Sequence, residues 1–264
     1  MRGGRRYPAW LVAGLLSWLV TGAVAAAEWT ARLDWQRRLE LSTPVSGIIR
    51  EVPVRPDQRV ATGDLLVGLD QRLFDARLDR ARARLAKARE ERDEAVRELE
   101  RTQELFERTL LSVHDLQLAQ IAATGAEADH SSAEAELAEA EIKLEYSRIL
   151  APFDARVVSV PAQSGETVVS RLQARTLVVV APAGRMRAGA WVDGEQLQGL
   201  SVGMAAEVAV GERSYPAEVS GVALEPGKGS DERPLYRLEV DFALPPDRVL
   251  RPQQAARIRI EIDK

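Results

Sequence analysis

The chain has 264 residues, and its 40 acidic and 36 basic side chains give it a formal net charge of −4. This acidic balance argues against nucleic acid as a partner, because phosphate binding needs an excess of basic residues. The absence of cysteine excludes disulfides, thiol catalysis and thiolate metal ligands.

Residues 1–27 are predicted to direct export. Arg2, Arg5 and Arg6 precede an uncharged apolar run that ends in three alanines before Glu28. This pattern is typical of a cleaved secretory signal peptide. The run is also just long enough to span a bilayer, so an uncleaved anchor is the alternative. In both cases the rest of the chain is exported.

Residues 42–70 and 149–182 form an internal repeat of short predicted strands. Residues 43–53 align without gaps on residues 151–161. The identical pairs are Pro44/Pro152, Val52/Val160, Pro53/Pro161 and Val60/Val168. Each half is too small to bury a core, so the two are predicted to pack together as one β-sandwich.

Residues 71–148, which lie between the two halves, predict a pair of coiled-coil helices. The stretch contains no proline, and its apolar or small residues recur every seven positions in two registers. The phase resets near Leu111, which predicts that two arms fold back on each other there. With about 1.5 Å per residue, each arm is about 55 Å long.

Equal distances from this turn predict which residues of the two arms face each other. Leu99 then lies level with Ala123, and Arg92 with His130. The last pair is a polar break in otherwise apolar rows, and such a layer can fix the alignment of helices at some cost in stability.

Residues 183–264 predict several short alternating strands, with a polar loop over residues 225–234 and a short helix over residues 194–200. This pattern is typical of a small antiparallel barrel. Residues 28–41 alternate loosely and are predicted to add one strand to it.

Three motifs in this arrangement resemble the periplasmic adaptor proteins, or membrane fusion proteins, of tripartite efflux pumps. They are TPVSGII at residues 43–49, TGDLL at residues 62–66 and RILAPFDA at residues 148–155, where Ala155 replaces the usual glycine. The resemblance implies a mixed β fold: a split lipoyl-like (biotinyl-like) β-sandwich, an α-helical coiled-coil hairpin inserted between its halves, and a small β-barrel.

The predicted hairpin tip resembles the family's docking motif, Arg-Leu-x-x-Leu-x6-Ser. Arg101, Leu105 and Ser112 match it, and Thr102 replaces the first leucine. The resemblance implies that these residues dock on the periplasmic end of an outer-membrane channel. The alternative is that Arg101 is a solvated charge and Ser112 caps the second helix.

Other chemistries find little support in the sequence. Lipoyl-like carrier domains need a lysine in a hairpin turn, but Lys87 and Lys143 lie on the predicted rod. His114 and His130 are the only histidines, and neither has a second ligand at metal spacing. We therefore expect no enzyme activity, no metal and no cofactor.

The favoured hypothesis is a periplasmic adaptor, associated with the inner membrane of a Gram-negative bacterium. It links an inner-membrane transporter to an outer-membrane channel and assembles as a homo-oligomeric ring. The tip motif favours a resistance-nodulation-division (RND) pump, with an ABC-type exporter as the alternative. A different class of function is a periplasmic scaffold or regulator that conducts nothing.

Overall fold

The computed structural model describes residues 25–170, 174–230, 233–245 and 248–262. In chain order the elements are β1 (Ala25–Trp35), β2 (Leu39–Leu41), β3 (Gly47–Glu51), β4 (Arg59–Val60), β5 (Leu65–Leu69), α1 (Arg72–Glu107), α2 (Val113–Tyr146), β6 (Arg148–Leu150), β7 (Ala155–Ser159), β8 (Thr167–Val168), β9 (Val178–Pro182), β10 (Arg185–Asp193), the short 3-10 helix Gly194–Leu197, β11 (Ala205–Val210), β12 (Arg213–Ser230), β13 (Arg233–Ala243) and β14 (Ala255–Ile262).

The chain divides into two compact units, a barrel unit and a unit that holds the sandwich and the hairpin. Most of the predicted signal peptide lies outside the described residues. Its last three alanines begin β1, where Ala27 pairs with Ile260 of β14.

The barrel unit closes in the order β1-β10-β13-β12-β11-β14. Strand β14 shows why these residues form it: Ile258 and Ile260 are buried, while Arg257 and Arg259 point outward to the carboxylate of Glu28 at 3.2 and 3.4 Å. Such alternation places one face of each strand in the core. Closure leaves no free sheet edge. The barrel predicted from the sequence is confirmed.

The loop predicted over residues 225–234 is wrong, because β12 and β13 continue through most of it as a long hairpin. Gly227, in this stretch, has a packing role. A Cβ on Gly227 would lie 2.6 Å from the ring of Trp191, so only glycine lets the strand approach that ring. The guanidinium of Arg237 stacks over the same ring at 5.5 Å.

The sandwich is built from two four-stranded sheets, β2-β9-β7-β4 and β6-β5-β3-β8. Adding 108 to the residue numbers carries β3 onto β7 and β4 onto β8, as the internal repeat predicts. The first half contributes β4 to the sheet that contains β7 and β9, and the second half contributes β8 to the sheet that contains β3 and β5. The halves are therefore interlocked and share one core.

Equivalent backbone hydrogen bonds in the two halves extend this symmetry to the turns. The N–H of Asp57 donates to the carbonyl of Val157 at 2.8 Å, and the equivalent N–H of Gly165 donates to Ile49 at 2.8 Å. Both donors have a positive φ, 71° and 88°. Aspartate and glycine are among the residues that adopt this conformation most readily.

Strand β2 corrects one prediction. Residues 28–41 were expected to serve the barrel, but Leu39–Leu41 pairs with Val178–Val180 in the sandwich. Its three residues are only half-buried or exposed at the end of a sheet. Such a weak pattern carries no signal for which domain the strand joins.

Thr43 fastens the end of the hairpin to the sandwich. Its hydroxyl donates to the carbonyl of Tyr146, the last residue of α2, at 2.7 Å, and Thr43 is only 4% exposed. Next to it, the N–H of Leu69 donates to the carbonyl of Ser147 at 2.8 Å. Just before α1, the N–H of Asp70 donates to the carbonyl of Ile48 at 2.8 Å, so both arms of the hairpin are rooted in the sandwich.

We expect Thr43→Val to lower the free energy of unfolding by about 1–2 kcal/mol, because the Tyr146 carbonyl loses a shielded donor. Urea denaturation followed by circular dichroism measures this change. Thr124→Val is the matched control, since the Thr124 hydroxyl donates to the Gln120 carbonyl at an exposed site where water replaces it. Equal losses in the two variants would contradict the role given to Thr43.

Candidate docking site on the helical hairpin

The two helices of the hairpin meet along the heptad rows. The buried residues of α1 are Phe74, Leu78, Ala81, Ala88 and Thr102, and those of α2 are Ala123, His130, Ala133 and Ala140. Most of them are small, which allows the two backbones to approach closely. Outside this seam, Arg84 of α1 and Glu136 of α2 form an ion pair of 2.9 Å across the helices.

The structure brings Arg92 and His130 together in the middle of the seam. The Nη1 atom of Arg92 lies 3.4 Å from both ring nitrogens of His130. Asp93 lies 2.7 Å from the same guanidinium. The hydrogen bond that Arg92 donates holds the pKa of the Asp93 carboxyl below its usual value. On α2, Glu127 lies 3.9 Å from Arg92, and Glu134 lies 3.8 Å from His130.

The tip is a tight turn over residues 108–112. The N–H of Thr109 donates to the carbonyl of Phe106 at 2.8 Å, and the N–H of Leu110 donates to the carbonyl of Leu105 at 3.0 Å. Backbone donors of the turn therefore satisfy these two carbonyls at the end of α1. Thr109 has a φ of 63°, a conformation that threonine adopts rarely. The turn therefore has one well-defined shape.

Ser112 starts α2 with a capping box. Its Oγ accepts from the N–H of Asp115 at 3.2 Å, and the Asp115 carboxylate accepts from the N–H of Ser112 at 3.1 Å and from its Oγ at 2.6 Å. These hydrogen bonds from Ser112, side chain first, lower the pKa of Asp115. The alternative role considered for Ser112, a helix cap, is realised in the structure.

We expect Ser112→Ala to weaken the start of α2 by about 1 kcal/mol, because the N–H of Asp115 loses its side-chain acceptor and the Asp115 carboxylate loses the hydroxyl donor. Hydrogen exchange of the first-turn amides measures this loss. Ser131→Ala, at an exposed position inside the helix, is the matched control and should change little. Unchanged exchange at the tip of the Ser112 variant would contradict the capping role.

The same cap predicts a pH dependence. Because the folded pKa of Asp115 is lowered, its contribution to stability is complete above the ordinary carboxyl pKa of about 4. It is lost as the pH falls through the lower, folded value. In Ser112→Ala we expect the pKa of Asp115 to rise toward the ordinary value, which an NMR titration of its carboxyl carbon detects. An unchanged pKa would mean that other groups set it.

The residues of the predicted docking motif differ in accessibility. Arg101 is exposed and pairs with Glu98 at 3.0 Å, while Thr102 is only 6% exposed and lies within the seam. Leu105 is half-buried, and Ser112 is exposed. Thr102 is therefore unavailable to a partner, because its heptad position turns it toward α2.

Four apolar side chains near the tip were missed in the sequence analysis. Leu110 and Val113 are 67% and 57% exposed, and Leu118 and Ile121 are 51% and 68% exposed. Their signal was present in the sequence, since all four fall outside the two heptad rows. Exposed apolar groups concentrated at the end of a rod are typical of a contact surface.

The described parts of the chain show neither a helix long and apolar enough to cross a bilayer nor a cluster of at least three potential metal-ligating side chains.

Comparison with known proteins matches this hairpin to one family. The family model described as "RND MFP, alpha-helical hairpin domain" matches residues 77–147. MacA of Yersinia pestis, a macrolide export protein, is 28% identical in an alignment of 252 positions that covers 88% of this chain and 67% of MacA. MdtA of Cronobacter turicensis, a multidrug resistance protein, is 35% identical over 113 residues, which are 43% of this chain and 27% of MdtA.

A solved structure supports the fold. The membrane fusion protein Spr0693 of Streptococcus pneumoniae superposes with a TM-score of 0.71 over 90% of this chain and 100% of its own, at 15% identity. The match thus spans about a quarter of MdtA, two thirds of MacA and all of Spr0693. These findings confirm the resemblance noted in the sequence.

Proposed function

We propose that this chain is a membrane fusion protein, the periplasmic adaptor of an efflux pump, and that it links an inner-membrane transporter to an outer-membrane channel. The observation that carries the proposal is the hairpin: a rod of about 55 Å that ends in exposed apolar side chains and matches the RND hairpin domain over residues 77–147. That match favours an RND transporter as the inner-membrane partner.

The shape of the hairpin supports a bridging role. Its seam is lined mostly with small residues, so the two helices pack closely along the rod. Its root is held by hydrogen bonds to the sandwich, while its tip presents Leu110 and Val113 to solvent. A rod fixed at one end and apolar at the other is suited to reach a partner at a distance.

We place the docking surface at the tip. Of the four motif residues, Arg101 and Ser112 are exposed and Leu105 is half-buried, and Leu110 adds an apolar anchor beside them. Arginine and an apolar side chain are frequent anchors of protein interfaces. Thr102 takes part only in the seam.

The test uses the absence of native cysteine. Leu110→Cys places a single thiol at the tip without disturbing the Ser112 cap, and Lys87→Cys places one halfway along the rod as the control. After cross-linking in intact cells, we expect a link from position 110, and not from position 87, to an outer-membrane channel. No channel link from either position, in cells where a known adaptor does link, would overturn the docking proposal and favour a scaffold.

A further inference from the structure

One end of the barrel is the end at which the described chain begins. Strand β1 starts there at Ala25, which pairs with Ile262 at the end of β14. Because β14 runs antiparallel to β11, and β11 antiparallel to β12, the start of β11 and the end of β12 lie at this end as well. We call it the lower end of the barrel; it consists of residues 25–27, 191–204, 218–230, 233–236 and 260–262.

The lower end carries two exposed aliphatic side chains. Val202 is 64% exposed and Leu224 is 95% exposed, and no other large apolar side chain is exposed among the described residues of the barrel unit. Val202 lies in the loop before β11, where the N–H of Gly203 donates to the carbonyl of Val219 at 2.9 Å. This hydrogen bond holds the loop against β12, the strand that carries Leu224.

A bulge in β12 turns Leu224 outward. The strand pairs on either side of it leave three residues of β12 opposite a single residue of β13. These pairs are Val222 with Leu238 and Pro226 with Tyr236. Bulges bend a strand and redirect its side chains. Leu224 is the middle one of the three residues, so the backbone of the hairpin itself presents this side chain to the outside.

Two aromatic rings lie beside the bulge. The ring of Trp191 packs against Gly227 of β12, and the ring of Tyr236 lies 3.3 Å from where a Cβ on Gly194 would stand. Both aromatic residues are half-buried. Tryptophan and tyrosine are enriched at membrane–water interfaces, because each combines an apolar ring with a polar group. The lower end therefore combines exposed aliphatic side chains with amphipathic rings.

The chain that precedes β1 supplies an independent observation. Residues 7–24 carry no charge, and a run of this length is about what the core of a bilayer requires. Strand β1 begins directly after this run. Cleavage after Ala27 would remove the residues that pair with Ile260 and Ile262 and would open an edge in the closed barrel. The fold of the barrel thus favours the uncleaved anchor over the cleaved signal peptide.

We propose that the lower end of the barrel rests on a lipid bilayer, with Leu224 and Val202 among the headgroups and the apolar run before β1 retained as the anchor. Apolar side chains gain free energy when they pass from water to the boundary between headgroups and acyl chains. This lipid contact goes beyond the proposed adaptor function and does not depend on an outer-membrane channel.

The charges of the lower end specify the kind of contact. Glu195, Glu218 and Glu225 are exposed there, so anionic headgroups do not attract this surface. The contact depends instead on the aliphatic side chains and on the attached apolar run. We therefore expect it to be at least as close on zwitterionic phosphatidylcholine as on anionic phosphatidylglycerol.

Fluorescence quenching by labelled lipids tests the contact. The full chain has no native cysteine, so the fluorophore NBD is attached at Leu224→Cys or at Val202→Cys. Each variant is reconstituted into phosphatidylcholine vesicles that carry a nitroxide on the headgroup. The matched control is Glu212→Cys, at an exposed position in the turn between β11 and β12 at the opposite end of the barrel. We expect both lower-end labels to lose most of their emission and the label at position 212 to keep it.

The outcomes separate lipid from the other possibilities. Equal quenching at all three positions, or no quenching at positions 202 and 224, would overturn the lipid contact. Quenching that needs phosphatidylglycerol would overturn it too, and so would labels that respond only to an added transporter. A mature chain that begins at Glu28 by mass spectrometry would reject the anchor. A tip link to a channel that persists in any of these cases would leave the adaptor proposal intact.

A pair of variants at Leu224 tests the role of this side chain, with the fluorophore at Val202→Cys as the reporter. Because Leu224 is 95% exposed, both Leu224→Asp and Leu224→Trp leave the core of the barrel unchanged. We expect the aspartate variant to reduce quenching at position 202 and the tryptophan variant to preserve it. Equal quenching in the two variants would show that the anchor alone holds the barrel near the lipid, and would overturn the contact through Leu224.

Discussion

Replacing Leu66 with alanine should lower the free energy of unfolding of the sandwich by about 3–5 kcal/mol. Leu66 lies in β5, is fully buried, and belongs to the core that both halves of the sandwich share. The cavity left by its side chain cannot collapse easily, because strands from both halves surround it. Urea denaturation followed by circular dichroism measures the loss.

Leu73→Ala is the matched control for this prediction. Leu73 lies in the first turn of α1 and is 58% exposed, so its truncation should cost less than about 0.5 kcal/mol. Because the hairpin is rooted in β5 and the segment before β6, Leu66→Ala should also reduce cross-linking from the tip in cells. A loss below about 1 kcal/mol would contradict the shared core.

The two halves of the sandwich and the hairpin were predictable because their signals repeat. The gapless alignment of residues 43–53 with residues 151–161 indicated one sandwich, and the rows of the rod indicated which residues meet, such as Arg92 and His130. Each signal is a pattern over many residues. A single unusual residue, such as Ala155 in place of glycine, does not disturb it, since Ala155 is buried in β7.

Features that depend on one or two residues were not predictable. The pairing of Leu39–Leu41 with β9 is decided by tertiary contacts, and the hairpin of β12 and β13 continues through residues that read as a turn. In the tip motif, the spacing indicated which residues match the motif but not the direction in which each side chain points. Thr102 faces the seam because it shares the heptad row of Ala88, a row visible in the sequence that conflicts with the docking role implied by the motif.

The polar layer in the seam leads to a second prediction, a gain in the free energy of unfolding. Arg92 and His130 form a polar layer that is mostly shielded: the side chains are 26% and 9% exposed. Buried ionic groups replaced by well-packed apolar residues often leave a protein more stable. We therefore expect the double variant Arg92→Leu/His130→Leu to gain about 2 kcal/mol in the free energy of unfolding.

The single variant His130→Leu is the informative companion. It leaves the guanidinium of Arg92 with Asp93 at 2.7 Å but places an apolar side chain beside it, so we expect it to gain less than the double variant. In the double variant the pKa of Asp93 should rise toward its usual value, because its hydrogen bond from Arg92 is gone. A double variant less stable than the wild type would contradict this account.

The same double variant distinguishes two origins of the helix alignment. The sequence alone suggested that the polar layer fixes it. A short turn with one well-defined shape, capped by Ser112, also fixes it, since a slip by one heptad needs a longer connection. We expect a disulfide between Leu85→Cys and Leu137→Cys to form equally well with and without the polar layer. Loss of that disulfide when Arg92→Leu and His130→Leu are also present would show that the layer, and not the turn, sets the register.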